Sequence, residues 1–306
     1  MALPSTPARP FGAVLTAMIT PMTAGGEVDL EAAQRLAAWL VDHGNDGLVL
    51  NGTTGEAPTT HAPEKAALVR AVVEAVGDRA AVLAGAGSND TAHAARMAEQ
   101  AAEAGADGLL VVAPYYSRPS QEGVARHVET VADAGGLPVM LYDVPGRTGV
   151  RIAAETYERL ARHPRVVATK DASGDVAAAA GLAARTGLAW YSGDDGLLLP
   201  FLAHGGAGVV SVAAHAVPDA FAQAVAAWDA GDHARALEAF RTTLPAIAAL
   251  NGAGFQAVMA KAAVEALGVV PGRAVRLPLV AASDDEAAAV RAGLVEAGVL
   301  AGAPVN

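Results

Sequence analysis

Eight short apolar runs, each followed by a helical pattern, predict an α/β fold: a (β/α)8 TIM barrel with a C-terminal three-helix extension. Three observations carry that prediction. Runs such as Gly47-Leu48-Val49-Leu50 and Gly108-Leu109-Leu110-Val111-Val112 are continuously apolar, not alternating, as parallel strands covered on both faces must be. They number eight, the count that closes a parallel sheet on itself. The 306 residues, 53% of them apolar, suit one barrel of ~250 residues with an appendage.

Residues 1–11 form a tail with prolines at positions 4, 7 and 10. The barrel is expected over residues 12–230. Val14-Leu15-Thr16-Ala17-Met18-Ile19 reads as the first strand, stopped by Thr20-Pro21, and Asp29 can cap a helix running to about His43. The second strand, 47–50, runs into Asn51-Gly52-Thr53-Thr54-Gly55-Glu56, with a helix over 63–76 behind it. The third, 80–84, ends in Gly85-Ala86-Gly87-Ser88-Asn89-Asp90 before a helix over 91–104. The fourth, 108–112, ends at Ala113-Pro114-Tyr115-Tyr116, and a helix over 121–133 follows. The fifth, 138–142, enters the loop Asp143-Val144-Pro145-Gly146-Arg147-Thr148-Gly149, then a helix over 153–161. The sixth is Val166-Val167-Ala168-Thr169-Lys170-Asp171, with a helix over 175–185. The seventh, 188–191, ends at Ser192-Gly193-Asp194-Asp195, and after one short helix the eighth covers 208–212. Helical patterns near 232–250, 254–268 and 284–298 make up the extension, 231–306.

A net charge of −11 argues against nucleic acid or an anionic membrane surface as a partner. With no cysteine, disulfides and thiolate chemistry are excluded. The N-terminus has no apolar stretch resembling a signal peptide, and no run approaches the ~18 apolar residues of a membrane span. A cytoplasmic protein is therefore expected. Gly85-Ala86-Gly87 lacks the third glycine of a dinucleotide fingerprint, and the eight histidines are scattered without ligand spacing. Neither a metal nor an organic cofactor is expected. Asp194-Asp195 is read as a cap on the following helix.

Lys170 is the residue around which the chemistry collects. The chain has three lysines, and Lys65 and Lys261 sit in amphipathic helical patterns with charged neighbours. Only Lys170 ends a strand that should be buried. Burial disfavours an ammonium, which leaves an amine able to attack a ketone and form an imine. The competing reading is a buried lysine paired with a carboxylate such as Asp171. In barrels of this type active sites lie at the C-terminal strand ends. There the chain places Thr53, Thr54, Tyr115, Tyr116, Tyr142 and Tyr191. A tyrosine hydroxyl can move the proton that imine formation requires. The Gly52-Thr53-Thr54-Gly55 turn can cradle a carboxylate, or can simply cap the next helix. Arg147 can clamp a second carboxylate, or can be an ordinary surface arginine. Alternation along the sixth strand turns Asp171 away from the barrel interior, which makes it a poor ion partner for Lys170.

At these residues the sequence resembles the dihydrodipicolinate synthase (4-hydroxy-tetrahydrodipicolinate synthase) family of the N-acetylneuraminate lyase superfamily. The likeness runs from about Gly12 into the C-terminal helices. It rests on Gly52-Thr53-Thr54-Gly55-Glu56, the segment Pro114–Gly123 with its Tyr-Tyr pair, Tyr142–Gly149, Lys170-Asp171-Ala172-Ser173-Gly174 and Ser192-Gly193-Asp194-Asp195. The resemblance implies a class I aldolase-type condensation. Pyruvate forms an imine on Lys170, and its enamine attacks L-aspartate 4-semialdehyde, in lysine and diaminopimelate biosynthesis. It further implies a relay of Tyr142, Thr53 and Tyr116, with Tyr116 reaching across a tight dimer of a homotetramer. Thr54 would bind the pyruvate carboxylate, with backbone groups around Gly193 and Val210, and Arg147 would bind the carboxylate of the semialdehyde.

Two other activities fit parts of the pattern: pyruvate release from a 2-keto-3-deoxy sugar acid, and non-catalytic binding of a keto acid. Arg147 and the Tyr-Tyr segment favour the synthase. Family members inhibited by lysine have a histidine and a glutamate where this chain has Lys65 and His93. A cationic Lys65 implies weak feedback by lysine. The family's frequent asparagine after the strand-five tyrosine is Asp143 here.

Overall fold

The computed structural model describes residues 8–252 and 254–301, so residues 1–7 of the expected tail and 253 and 302–306 of the expected extension lie outside it. Eight strands close a barrel in sequence order: β1 (Val14–Ala17), β2 (Gly47–Leu50), β3 (Ala81–Gly85), β4 (Gly108–Val112), β5 (Val139–Asp143), β6 (Val166–Asp171), β7 (Ala189–Ser192) and β8 (Gly208–Ser211). All eight pairings, including the β1–β8 seam, are parallel. Between strands run α1 (Leu30–Asp42), α2 (Ala62–Val76), α3 (Thr91–Glu103), α4 (Gln121–Gly135), α5 (Pro145–Thr148), α6 (Ala154–Leu160), α7 (Val176–Thr186) and α8 (Leu198–Ala203). Then come α9 (Pro218–Asp229), α10 (His233–Asn251), α11 (Gln256–Ala266) and α12 (Asp284–Glu296).

Local chemistry explains where the elements start. Asp29 caps α1 by accepting from the Ala32 N–H, and Ser120 caps α4 through Gly123, each satisfying a backbone donor that the first helical turn leaves free. Two elements depart from the sequence reading. The loop after β5 contains one helical turn, α5, started by Pro145 and stopped by Gly149 at φ +73°, as proline at the first position and a left-handed glycine dictate. Helix α9 is the second, lying between the eighth strand and the three helical patterns of the extension. Pro218 starts it, and Phe221, Ala224 and Val225 give it a buried face.

Strand alternation divides the core in two. Leu15, Val49, Leu83, Leu110, Met140, Ala168 and Val210 fill the barrel, and Phe11 joins them from below. The opposite faces pack outward, for instance Leu141 and Trp190 with Tyr157 and Leu160 of α6. At the seam, His215 Nε2 accepts from the Ile19 N–H at 3.0 Å while Nδ1 donates to Val212 O at 2.8 Å. Full burial pushes this imidazole down to about 4, so it serves as a neutral strut with one defined tautomer. Among the described residues no single helix is long and apolar enough to cross a membrane.

One irregularity positions the site. Val139 pairs with Val166, yet Met140 pairs with Ala168, so β6 carries one extra residue. Unbroken register would set Tyr142 opposite Thr169, which faces outward. The bulge sets it opposite Lys170, with both side chains turned into the barrel.

Candidate active site

Lys170 is 5% exposed near the top of the barrel. Its Nζ lies 4.5 Å from the centroid of the Tyr142 ring, and among the described residues no carboxylate comes within 4.0 Å of it. The ion-pair reading of this lysine therefore fails. Asp171 points the other way, accepting from Ser173 N at 2.8 Å and Trp190 Nε1 at 3.0 Å. Desolvation and the nearby Asp195 push the Asp194 carboxyl up, and the Lys170 charge opposes them.

A cavity of about 420 Å³ opens over these strand ends. Thr53, Tyr116, Tyr142 and Arg147 line it, together with Tyr115. Thr54, placed with the site by sequence, is buried behind Thr53 at 4% exposure and is not on the cavity wall. Arg147 is exposed, its guanidinium 5.1 Å over the Phe255 ring and its Nη2 donating to Gln256 Oε1 at 3.4 Å. It enters no ion pair among the described residues, which leaves its charge free for an incoming anion. Tyr116 is 89% exposed at φ +71°, a conformation costly for an aromatic residue.

Two placements, those of Tyr191 and Asp195, differ from the sequence reading. The Tyr191 hydroxyl donates to Gly12 O at 2.9 Å. It therefore points to the barrel floor and cannot serve chemistry at the strand ends. The Gly193 N–H is already donated to Asp171 O at 2.6 Å, so Gly193 does not offer that hydrogen to a carboxylate. Val210 is fully buried inside the barrel. Asp195 does not cap the helix beside it. Its carboxylate accepts from Val212 N, Ala213 N and Asn251 Nδ2 at 3.2, 3.0 and 2.6 Å, tying β8 to α10.

Sequence reasoning missed other parts of the wall. Gly85 and Gly87 line the cavity, and a Cβ at Gly85 would sit 2.3 Å from Asn51 O, so only glycine fits there. Phe255, Pro278 and Leu279 reach the cavity from the C-terminal segment, and no local pattern signals that. Glu56, 1% exposed at φ +57°, also lies on the wall. Its Oε1 accepts from Lys261 Nζ and its Oε2 from Arg276 N at 3.0 Å. Lys261 is thus no solvated helix residue but a second buried lysine, at 1% exposure. Burial lowers its pKa, opposed by its bond to Glu56. Among the described residues no group of three or more His, Asp or Glu side chains is placed to hold a metal ion.

A family model described as the Dihydrodipicolinate synthetase family (DHDPS) matches residues 10–297. The chain is 54% identical over 300 residues to the 4-hydroxy-tetrahydrodipicolinate synthase of Kineococcus radiotolerans, covering 98% of this chain and 97% of the relative. Its fold superimposes on the dihydrodipicolinate synthase of Bacillus anthracis with a TM-score of 0.89 at 39% identity, over 93% of this chain and 98% of the other. The DHDPS of Cyanidioschyzon merolae, solved with lysine bound, gives a TM-score of 0.91 at 39% identity, over 96% and 100% of the two chains.

Proposed function

Because the chain belongs to the dihydrodipicolinate synthetase family, we propose that it is a 4-hydroxy-tetrahydrodipicolinate synthase, condensing pyruvate with L-aspartate 4-semialdehyde. The observation that carries this reading is Lys170, buried and without a carboxylate partner among the described residues, against the Tyr142 ring. Its Nζ attacks the C2 carbonyl of pyruvate, and the carbinolamine oxygen leaves as water after protonation by the Tyr142 hydroxyl. Loss of a C3 proton gives the enamine, whose C3 attacks the aldehyde carbon. Attack of the substrate amine on C2 then closes the ring and releases Lys170. The imine itself draws electrons from C3, so no cofactor is needed. Thr53 and Tyr116 complete the relay in this reading, and the pyruvate carboxylate is held at the turn that carries Thr53 and Thr54, with backbone groups near Gly193 and Val210 other than the Gly193 N–H already given to Asp171 O. A coupled assay with pyruvate and the semialdehyde is expected to show turnover. Cleavage of 2-keto-3-deoxy sugar acids without semialdehyde turnover would replace the synthase by an aldolase.

Arg147 acts at the entrance. A charge-assisted bidentate pair contributes about 1.5–3 kcal/mol, so Arg147→Ala is expected to raise KM for the semialdehyde by roughly ten- to hundredfold. Pyruvate adduct formation should stay near the parent level, and equal loss of both would assign Arg147 to structure alone.

Tyr116 supports an assembly. An aromatic ring 89% exposed on a strained backbone persists where surroundings over-determine it, and a neighbouring subunit supplies such surroundings. In this reading, which rests on the family resemblance, the protein is a cytoplasmic homotetramer of tight dimers, with Tyr116 serving the partner's site. Sedimentation of an active enzyme solely as a monomer would refute that. Lys65 Nζ donates to Ala57 O and Thr60 O at 2.8 and 2.7 Å, which holds its ammonium in place. Inhibition by lysine is expected to be weak, and half-inhibition at sub-millimolar lysine would contradict it.

A further inference from the structure

Behind the imine pair lies a pair of acids. Asp143 and Asp171 are register partners one position beyond Tyr142 and Lys170, so the pleat turns them outward beneath the helices. Both are buried, at 2% and 5% exposure. The Asp171 oxygens accept from Ser173 N and Trp190 Nε1. Asp143 is less well provided. Its Oδ2 accepts from Ile152 N at 3.3 Å and Tyr157 OH at 3.2 Å, while its buried Oδ1 has no partner among the described residues.

The two groups that reach Asp143 Oδ2 have a topological meaning. The chain leaves β5 at Asp143, makes the turn that carries Arg147 and Thr148, and returns to Asp143 at Ile152. Within the turn, the Thr148 hydroxyl donates to Val150 O at 2.8 Å, with Val144 O 3.2 Å away, and accepts from Val150 N at 3.3 Å. These bonds hold the turn's shape, and its far end is fastened at two points: Ile152 N donates to the Asp143 carboxylate, and Gln121 of α4 donates from Nε2 to Arg151 O at 2.8 Å and accepts at Oε1 from Ala153 N at 2.9 Å. Tyr157 of α6 adds a second donor to Asp143 from behind.

We propose that Asp143 is a positioning residue for the second substrate: its buried carboxyl closes the turn between β5 and α6 and so holds Arg147 over the cavity. This rests on the role given to Arg147 above and adds the group that sets its place. An ionised carboxylate accepts more strongly than a neutral acid, so the turn is fastened most firmly when Asp143 is charged. The groups facing it are Asp171 of β6, Tyr157 of α6, and Ile152 N and Arg151 of the turn, with Trp190 of β7 bonded to Asp171. Arg151 is itself drawn to Asp175, at 3.3 Å. Burial, reinforced by the Asp171 charge, pushes Asp143 up to about 6, against the bonds from Ile152 and Tyr157 and the Arg151 charge. Fastening therefore weakens as pH falls through about 6, where an ordinary aspartate would still be ionised.

The test is steady-state kinetics between pH 5 and 8 on the parent enzyme, Asp143→Asn and Tyr157→Phe, with borohydride trapping of the pyruvate adduct alongside. In the parent, KM for the semialdehyde should rise about fivefold below the inflection, the low end of coupling between sites. In Asp143→Asn it should be high throughout and lack that inflection, with adduct formation unchanged. Tyr157→Phe removes a donor to the charged form, so its inflection should move to higher pH. Parallel profiles in parent and Asp143→Asn, or an unmoved inflection in Tyr157→Phe, would overturn the proposal. Absence of any adduct in the parent would instead defeat the imine reading.

Discussion

Lys170→Ala is expected to leave no adduct when the protein is incubated with pyruvate and borohydride, and to lower turnover by roughly 10⁴-fold or more, as loss of a covalent nucleophile does. The parent should gain one reduced pyruvate on Lys170, read by intact mass and peptide mapping. Two features concentrate the effect on this residue. It is buried without an anionic partner among the described residues, and the cavity that receives the substrate opens beside its neighbour Tyr142. Lys170→Arg separates charge from nucleophilicity, since a guanidinium keeps the cation but stays protonated. It should be as inactive as the alanine variant. A parent that turns over substrate without a trappable adduct would sink the imine mechanism, and an adduct on Lys65 or Lys261 would move it.

The second large effect concerns stability. Lys261→Met should cost about 3–5 kcal/mol, because it strips the cation from a buried pair and strands Glu56 as an unpaired charge. Lys261 Nζ also donates to Ala274 O at 2.6 Å, so the substitution unties the C-terminal segment as well. In a chain of this size about 1 kcal/mol moves the melting midpoint by roughly 2–4 °C, so a fall of about 10 °C is expected. Adding Glu56→Leu to Lys261→Met should restore part of the loss, since removing both partners spares the burial of one lone charge. A single variant that melts within a degree of the parent would show that the pair contributes little. The functional consequence follows from position. Glu56 stands two residues after Thr54 on the cavity wall, so loosening it should also raise KM for pyruvate in the variants that remain folded.

The three lysines show how far sequence reasoning reached. Lys170 was legible because a continuous apolar run ending in a lysine has one plausible environment, and strand alternation sent Asp171 outward without any structure. Lys261 was misread for an equally local reason. Its helix, QAVMAKAAVEA, has the periodic look of a half-exposed segment, but neighbouring helices and the barrel cover nearly all of it. Its partner Glu56 lies 205 residues away in the chain, and no periodicity connects them. Tyr191 failed similarly: a tyrosine at a strand end can reach up to the site or down to the floor, and only the Gly12 carbonyl decided which.

From the sequence alone follow the eight strands, their parallel order, the lysine at the end of the sixth, and the threonines, tyrosines and arginine gathered at the strand ends. These depend on local pattern, where hydrophobic period and turn residues act over a few positions. What the tertiary structure alone decided is which of those side chains meet. One extra residue in β6 turns Tyr142 toward Lys170 instead of Thr169, and Phe255 and Leu279 are carried back from the C-terminal segment to finish the cavity. The same closure puts Asp143 against Asp171 behind them. Register and long-range packing are set by the whole barrel closing on itself, a cooperative condition that no short stretch of chain contains.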